Sequence, residues 1–437
     1  MSFPKVLIIG QSFDKTGGGI TLSNLFKGWP KDRLAVTSNG YLRNQTDFSI
    51  CETYYQLGYN DKLHPFPLNI FLSKIKCGIV DIHNSVLWND KKSEKTEKSR
   101  NFKKIYSLLV FFLNFFGIYN FLYKLKITDD FKQWVTAYNP DIIYSQLASL
   151  ELIRFVHNLQ ILLNKPIAIH IMDDWPRKVS QKGIFNFYWK KIITKEFKNL
   201  LEKSSVLMSI SSAMSEEYKK RYKKDFIPFH NPIEIDKWLP HARNRWEKNG
   251  VFTILYTGRI GRANGKSIMV LAKVIDSINS KQMKMKLDIF TPDIDSKKAA
   301  SMNKLRGVEL KEIISHSLMP SLLASYDLLF LPLDFDKRGL TFSQFSMPTK
   351  ASEYMISGTP ILVFADKRTA LVKYALNDNW AYVVSENNKN FLNKGLSELF
   401  SNMELRKKLA EKAKETALQN EDAENVKEKF RKSLILN

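Results

Sequence analysis

Cysteine is nearly missing from this sequence: Cys51 and Cys77 are the only two in 437 residues. A chain this long buries enough apolar surface to fold without cross-links. The pair is therefore expected as reduced thiols of a cytoplasmic protein, not as a disulfide. The apolar run Val6 to Gly10 is too short for the core of a signal peptide. Acidic residues are also scarce, 44 against 67 lysines and arginines, and the net charge is +23. Such a field attracts an anion: a nucleotide, a nucleic acid or an acidic lipid. No zinc-finger spacing, RNA-binding signature or long basic tail is present, only short clusters such as Lys190-Lys191 and Lys219 to Lys224. Nucleic acid is thus not the expected partner. A repeat of fixed short period is missing too, which excludes a solenoid. With 44% hydrophobic residues the chain lacks the composition of a disordered one.

What is present is an alternation of short apolar runs and helical patterns. Lys5 to Gly10 reads as a buried strand, Gly17-Gly18-Gly19 as a turn, and Ile20 to Trp29 as a helix. Asp141 to Ser145, Ile167 to Met172 and Val206 to Ile210 are further strand candidates. The pattern restarts with a strand over Phe252 to Gly258, a helix over Gly265 to Ile278 and a strand over Leu287 to Phe290. A helix over Leu318 to Ser325 and a strand over Leu328 to Leu331 come next, then a helix over Ala351 to Ile356 and a strand over Pro360 to Phe364. Asn231 to Asn249, with Pro232, Pro240 and many polar residues, reads as the linker between two halves. The expectation is α/β, with two Rossmann-like domains whose ligands bind beyond the carboxyl ends of parallel strands and which face a central cleft. The charged segment from Lys389 onward reads as helix.

The most specific motif is Pro348-Thr349-Lys350-Ala351-Ser352-Glu353-Tyr354-Met355-Ile356-Ser357-Gly358-Thr359-Pro360. Thr349 is a candidate helix cap, and free N–H groups at a helix start suit a phosphate. Lys350 adds a positive charge. Glu353, one turn further on, can accept hydrogen bonds from vicinal ribose hydroxyls. Gly358 ends the helix. As an isolated stretch, these residues also fit a plain surface helix.

This segment resembles the nucleotide-binding element of glycosyltransferase family 4 and its GT-B relatives, P-[TN]-K-x-x-E-x-M-x-x-G-x-P. The resemblance is best over residues 205–385 and thin over 40–165. It implies a GT-B fold in which Glu353 binds the donor ribose. Many members carry a second Glu eight residues earlier; here that position is Phe345. The loop Thr341 to Ser346, Ser346 included, is the alternative candidate for the diphosphate, together with Thr349 and Lys350. Tyr256-Thr257-Gly258-Arg259-Ile260 followed by Lys266 looks like the family's G-R-[LI] strand end. Arg259 and Lys266, with Arg262 as a substitute, would neutralise the diphosphate without a metal. Gly17-Gly18-Gly19 is neither G-x-G-x-x-G nor a P-loop, but it matches the family's first loop, where Gly18 and Gly19 would approach donor phosphate and acceptor. His170-Ile171-Met172-Asp173-Asp174 closes a strand, and relatives often carry a polar pair there. Asp173 or Asp174 would orient the acceptor hydroxyl or take its proton. His170 is either catalytic or a core histidine. The adjacent aspartates are not a D-x-D metal motif. Phe229-His230-Asn231-Pro232 and Ser325 to Pro332 support the same frame.

Residues 105–123 carry no charged side chain and are flanked by Lys103-Lys104, Lys124 and Lys126. A crossing here would split the first Rossmann unit across the bilayer. Two readings remain: an aromatic-rich helix lying in a membrane interface, or a core helix, the former preferred. The expected organisation is an acceptor-side domain over 1–232, a nucleotide-sugar domain over 233–415, and a helix over 416–437 that crosses back. The implied function is transfer of a sugar from a nucleotide-diphosphate sugar to a saccharide or lipid-linked acceptor of a surface polysaccharide. The transfer is expected to be retaining and to need no cofactor or metal, on the inner face of the cell membrane. A GT-B nucleotide-sugar 2-epimerase and a non-catalytic basic membrane- or nucleic-acid-binding module are the rivals.

Overall fold

The computed structural model describes residues 3–14, 18–39, 46–63, 66, 75–82, 97–179, 183–248 and 250–436, without the side chains of 97–104, 120–121, 178–179 and 342. Gly17 and the side chains of Lys103 and Lys104 lie outside the described residues. The chain divides into two compact units, Met1–Phe229 with Lys427–Asn437, and His230–Val426.

The first unit is built on the strands β1 (Val6–Ile9), β2 (Leu34–Asn39), β3 (Thr53–Leu57), β4 (Gly78–Ile79), β5 (Ile142–Ser145), β6 (Ile167–Ile171), β7 (Val206–Ser209) and β8 (Ile227–Pro228). Their order is β4-β3-β2-β1-β5-β6-β7-β8, and among the described residues only β4 runs antiparallel to its neighbour. β1, β5, β6 and β7 are buried at every position. Strands covered on both faces need continuous apolar runs, and these are the runs the sequence displays. The chain starts at β1, builds outward to β4, then returns to the other side of β1 with β5. That reversal is the switch point where open α/β sheets bind ligands.

The second unit repeats the plan with β9 (Phe252–Thr257), β10 (Met285–Phe290), β11 (Val308–Lys311), β12 (Leu328–Pro332), β13 (Ile361–Phe364) and β14 (Tyr382–Val384). The order β11-β10-β9-β12-β13-β14, parallel throughout, places its switch point between β9 and β12. The helix Gly265–Ile278 follows β9 and buries Ile268, Leu271, Ala272 and Ile275 at helical spacing against the sheet.

The segment Asn231 to Asn249 is not a free linker. Ile233 and Trp238 are buried in the second core, Arg243 pairs with Asp327 at 2.9 Å, and Trp246 donates to the Gly358 carbonyl at 3.0 Å. Its prolines and polar residues gave it the look of a loop, but two apolar anchors and a half-buried guanidinium tie it down. At the other end, the helix Ala423–Leu434 starts in the second unit and finishes in the first. There Phe430 meets Phe26, Tyr144 and Phe229 edge-on at 5.0–5.9 Å.

Candidate functional site

In the second unit the candidate side chains lie on the loops and helices that follow β9 and β12, the strands at the switch point. β9 ends in Thr257, and Gly258 turns the chain with φ +118, a conformation that costs a side-chain-bearing residue. The loop beyond is tightly built. Tyr256 donates its hydroxyl to the Arg259 carbonyl at 2.7 Å, Asn264 donates to the Tyr256 hydroxyl at 2.8 Å, and Asp293 accepts the Ile260 N–H at 2.9 Å. This scaffold presents Arg259 and Arg262 to solvent, and neither guanidinium bonds to a described residue.

Lys350 lies beneath the same turn. Its ammonium donates to the Thr257 carbonyl, sits 4.5 Å over the Tyr256 ring, and occupies the space a Cβ on residue 258 would need. Burial lowers its pKa to about 8, with the Glu353 charge pulling the other way. The helix Lys350–Ile356 is fixed to β9 because Tyr354 accepts the Thr257 N–H at 3.0 Å. Thr349 does not cap it: its hydroxyl bonds no helix N–H, and its carbonyl accepts from Asn231 at 3.2 Å. Ser346 lies, partly exposed, on the connection between β12 and this helix.

Glu353, one turn along, faces His316. The ring Nε2 is 3.1 Å from the carboxylate, and the imidazole pKa is raised by that hydrogen bond more than burial lowers it. His316 is largely exposed, so the pair can open. Lys266 is also occupied. Its ammonium pairs with Asp336 at 2.6 Å on the surface, while its N–H and that of Ser267 donate to the buried Asp334 carboxylate at 3.3 and 2.8 Å. Asp334 therefore takes the start of the helix Gly265–Ile278, leaving an exposed ion pair of small intrinsic worth for a phosphate to displace.

Behind the helix Lys350–Ile356 stands Glu421, fully buried. It accepts from Tyr374 at 2.7 Å and from Ser352 at 3.3 Å, and lies 2.7 Å from His230 Nδ1. Burial pulls the His230 pKa down, but the Glu421 carboxylate outweighs it, so the net shift is upward. Sequence reasoning missed this group. Glu421 sits in a charged stretch that looks like any solvated helix end.

In the first unit the glycine turn opens the helix Gly18–Phe26. A Cβ on Gly19 would fall 2.6–2.8 Å from the Asp14 backbone and Cβ, and one on Gly18 3.1 Å from Gln146 Oε1. The turn after β1 and the loop after β5 thus meet at this unit's switch point. The structure separates the three candidates at the end of β6, His170 on the strand and Asp173 and Asp174 just after it. His170 is a core histidine: Nδ1 bonds the Tyr144 hydroxyl at 2.7 Å, Nε2 lies 3.2 Å from the Phe229 carbonyl, and burial lowers its pKa to about 4. With both nitrogens engaged, it has no position free for acid–base work. Asp174 is buried in a two-oxygen pair with Arg221 at 2.9 and 3.0 Å and accepts from Tyr218 at 3.1 Å. Asp173 alone of the three is partly exposed. A further carboxylate, Glu151, opens the helix Leu150–Leu163 after β5. Burial pushes it up to about 7 against the pull of Ser149 and Lys62. Its only sequence signal was an acidic residue in the first turn after a strand.

Residues 251–402 match the family described as glycosyl transferases group 1. No curated protein matches the sequence. Among solved structures, the chain is similar to sucrose-phosphate synthase from Thermosynechococcus elongatus, with a TM-score of 0.62 and 13% identity over 98% of this chain and 97% of that one. It is similar to Anabaena HepE in complex with UDP and glucose, with a TM-score of 0.61 and 12% identity over 99% of both chains. It is also similar to WaaG, a glycosyltransferase involved in lipopolysaccharide biosynthesis, with a TM-score of 0.55 and 12% identity over 99% of this chain and 100% of that one.

Proposed function

From a chain of GT-B fold whose C-terminal unit matches the group 1 glycosyltransferases, we propose that this protein transfers a glycosyl group from a nucleotide-diphosphate sugar to a saccharide or lipid-linked acceptor. The observation that carries the reading is the arrangement at the β9–β12 switch point. The Glu353 carboxylate stands one helical turn beyond Lys350, whose ammonium is seated under Gly258, and Arg259, the next residue along from Gly258, is exposed, its guanidinium with no partner among the described residues.

Each group has a role that its chemistry fits. Glu353, once His316 swings away, accepts hydrogen bonds from the two ribose hydroxyls; charge-assisted bonds of this kind are each worth about 1.5–3 kcal/mol. Arg259, with Arg262, meets the diphosphate, and Lys266 exchanges Asp336 for a phosphate oxygen. As the glycosidic bond to the β-phosphate breaks, negative charge grows on the leaving diphosphate. Cations already held in place stabilise that charge more than the ground state. Those cations supply what a divalent ion would otherwise give, so the proposed transfer is metal-independent, and by its family likeness retaining. On the acceptor side Asp173 orients the hydroxyl or receives its proton, with Gly18 and Gly19 allowing close approach of the backbone. Asp174 and His170 hold Asp173's strand end in place and touch no substrate. The acceptor is proposed to belong to a surface polysaccharide, with the enzyme peripheral on the inner face of the cell membrane.

Thermal-shift titration with UDP, GDP, ADP and CMP tests the donor site. One of them should stabilise the protein by about 2.7 kcal/mol at a hundred times its Kd. Glu353→Ala should weaken that nucleotide at least tenfold. Indifference to all four, or unchanged affinity in the variant, refutes the assignment. Incubation with the matching nucleotide sugar, with and without acceptor, should give glycoside only when acceptor is present.

A further inference from the structure

The aromatic segment expected to be either interfacial or core is exposed. On the helix Glu97–Phe115 and the residue after it, Phe111, Phe112, Phe115 and Phe116 all face solvent, with Phe111 61% exposed. A second segment, unremarked in the sequence, joins it. Ile184 donates its N–H to the Phe115 carbonyl at 3.0 Å, which brings the start of the helix Asn186–Lys203 alongside. There Phe185 and Phe187 are exposed, Phe187 by 83%. Soluble proteins rarely leave so many large apolar side chains together in water without a partner for them.

We infer that these two segments form one docking surface for an anionic phospholipid bilayer. The inference rests on, and deepens, the peripheral location in the proposed function. Charge selects this occupant. Lys190 and Lys191 are exposed three and four residues beyond Phe187, hence on the same helix face one turn away. The helix Asn186–Lys203 holds five lysines against two glutamates. Lys124 and Lys126, beyond the aromatic helix, are exposed as well. Aromatic side chains flanked by lysines fit the boundary between acyl chains and acidic head groups: the rings enter the apolar layer while the ammonium groups meet phosphate. None of the described helices is long and apolar enough to cross a membrane, so the surface lies on the bilayer. A second copy of this chain would carry the same lysines and repel them.

Sedimentation of the full chain with sucrose-loaded vesicles tests this. The protein should pellet with phosphatidylcholine vesicles containing roughly one-third phosphatidylglycerol, less with phosphatidylcholine alone, and less at high salt. Phe111→Ser with Phe187→Ser should lower vesicle affinity at least about tenfold while keeping nucleotide affinity. Lys190→Glu with Lys191→Glu should remove the preference for acidic lipid. Phe187→Trp should show a blue-shifted emission that brominated acyl chains quench. Equal pelleting with neutral vesicles, unchanged binding of the double serine variant, or a dimer that this variant dissociates would overturn the proposal. Lost vesicle binding with intact nucleotide binding removes the docking surface and leaves the transferase reading standing. The reverse result removes the transferase reading alone.

Discussion

Replacing Glu151 by glutamine is expected to stabilise the protein at alkaline pH and to do nothing of the kind in acid. In the folded chain the carboxyl is pushed from 4.5 up to about 7, first by burial, with the Ser149 hydrogen bond and the Lys62 charge recovering part of the shift. At about 1.4 kcal/mol per tenfold change in proton affinity, ionising it in place costs about 3 kcal/mol. Partial exposure and water entry reduce this to roughly 1–3 kcal/mol. The folded state holds the proton more tightly than the unfolded one. Stability from this group is therefore greatest below pH 4.5, falls as pH rises through the interval to about 7, and is flat beyond. Glu151→Gln keeps the shape and removes the ionisation, so the variant should match the wild type near the acid end and exceed it at the other. In a unit of this size each kcal/mol moves a melting midpoint by about 2–4 °C. Urea and thermal denaturation of both proteins across that pH range measure the difference directly. A gap between variant and wild type that is the same at every pH would refute the reasoning, because only the titration of Glu151 can make it vary.

Four further outcomes follow from the geometry. Nucleotide affinity should fall as pH drops through the raised His316 pKa, because the imidazolium holds Glu353 more firmly than the neutral ring; calorimetry on His316→Ala should show that dependence flattened. Asp174→Ala should cost about 3 kcal/mol of stability by taking its buried carboxylate from the half-buried Arg221 and leaving the guanidinium on the Glu217 pair. Asp173→Ala should instead lower kcat by far more than its effect on the melting curve accounts for, a contrast that differential scanning calorimetry and acceptor turnover resolve. Glu421→Gln should weaken nucleotide binding several-fold with the overall fold intact by circular dichroism, since Ser352 and His230 lose the charge that holds the helix Lys350–Ile356.

What the sequence determined by itself was the architecture and the helix Lys350–Ile356. Runs such as Val6–Ile9 and Ile361–Phe364 are apolar at every position because both faces of a parallel sheet are covered, and that pattern survives in one dimension. β3 escaped notice because its Tyr-Tyr-Gln-Leu mixes polar groups into a buried strand. Gln56 is accommodated in part by a 2.8 Å bond to the Lys76 carbonyl, twenty residues away. Tertiary structure alone decided which polar residues keep contact with solvent. Asp173 and Asp174 are identical neighbours in the sequence, yet one is sealed against an arginine 47 residues on. The chemistry of a carboxylate depends on its solvent and its partners, and folding sets those through contacts between residues distant in the chain.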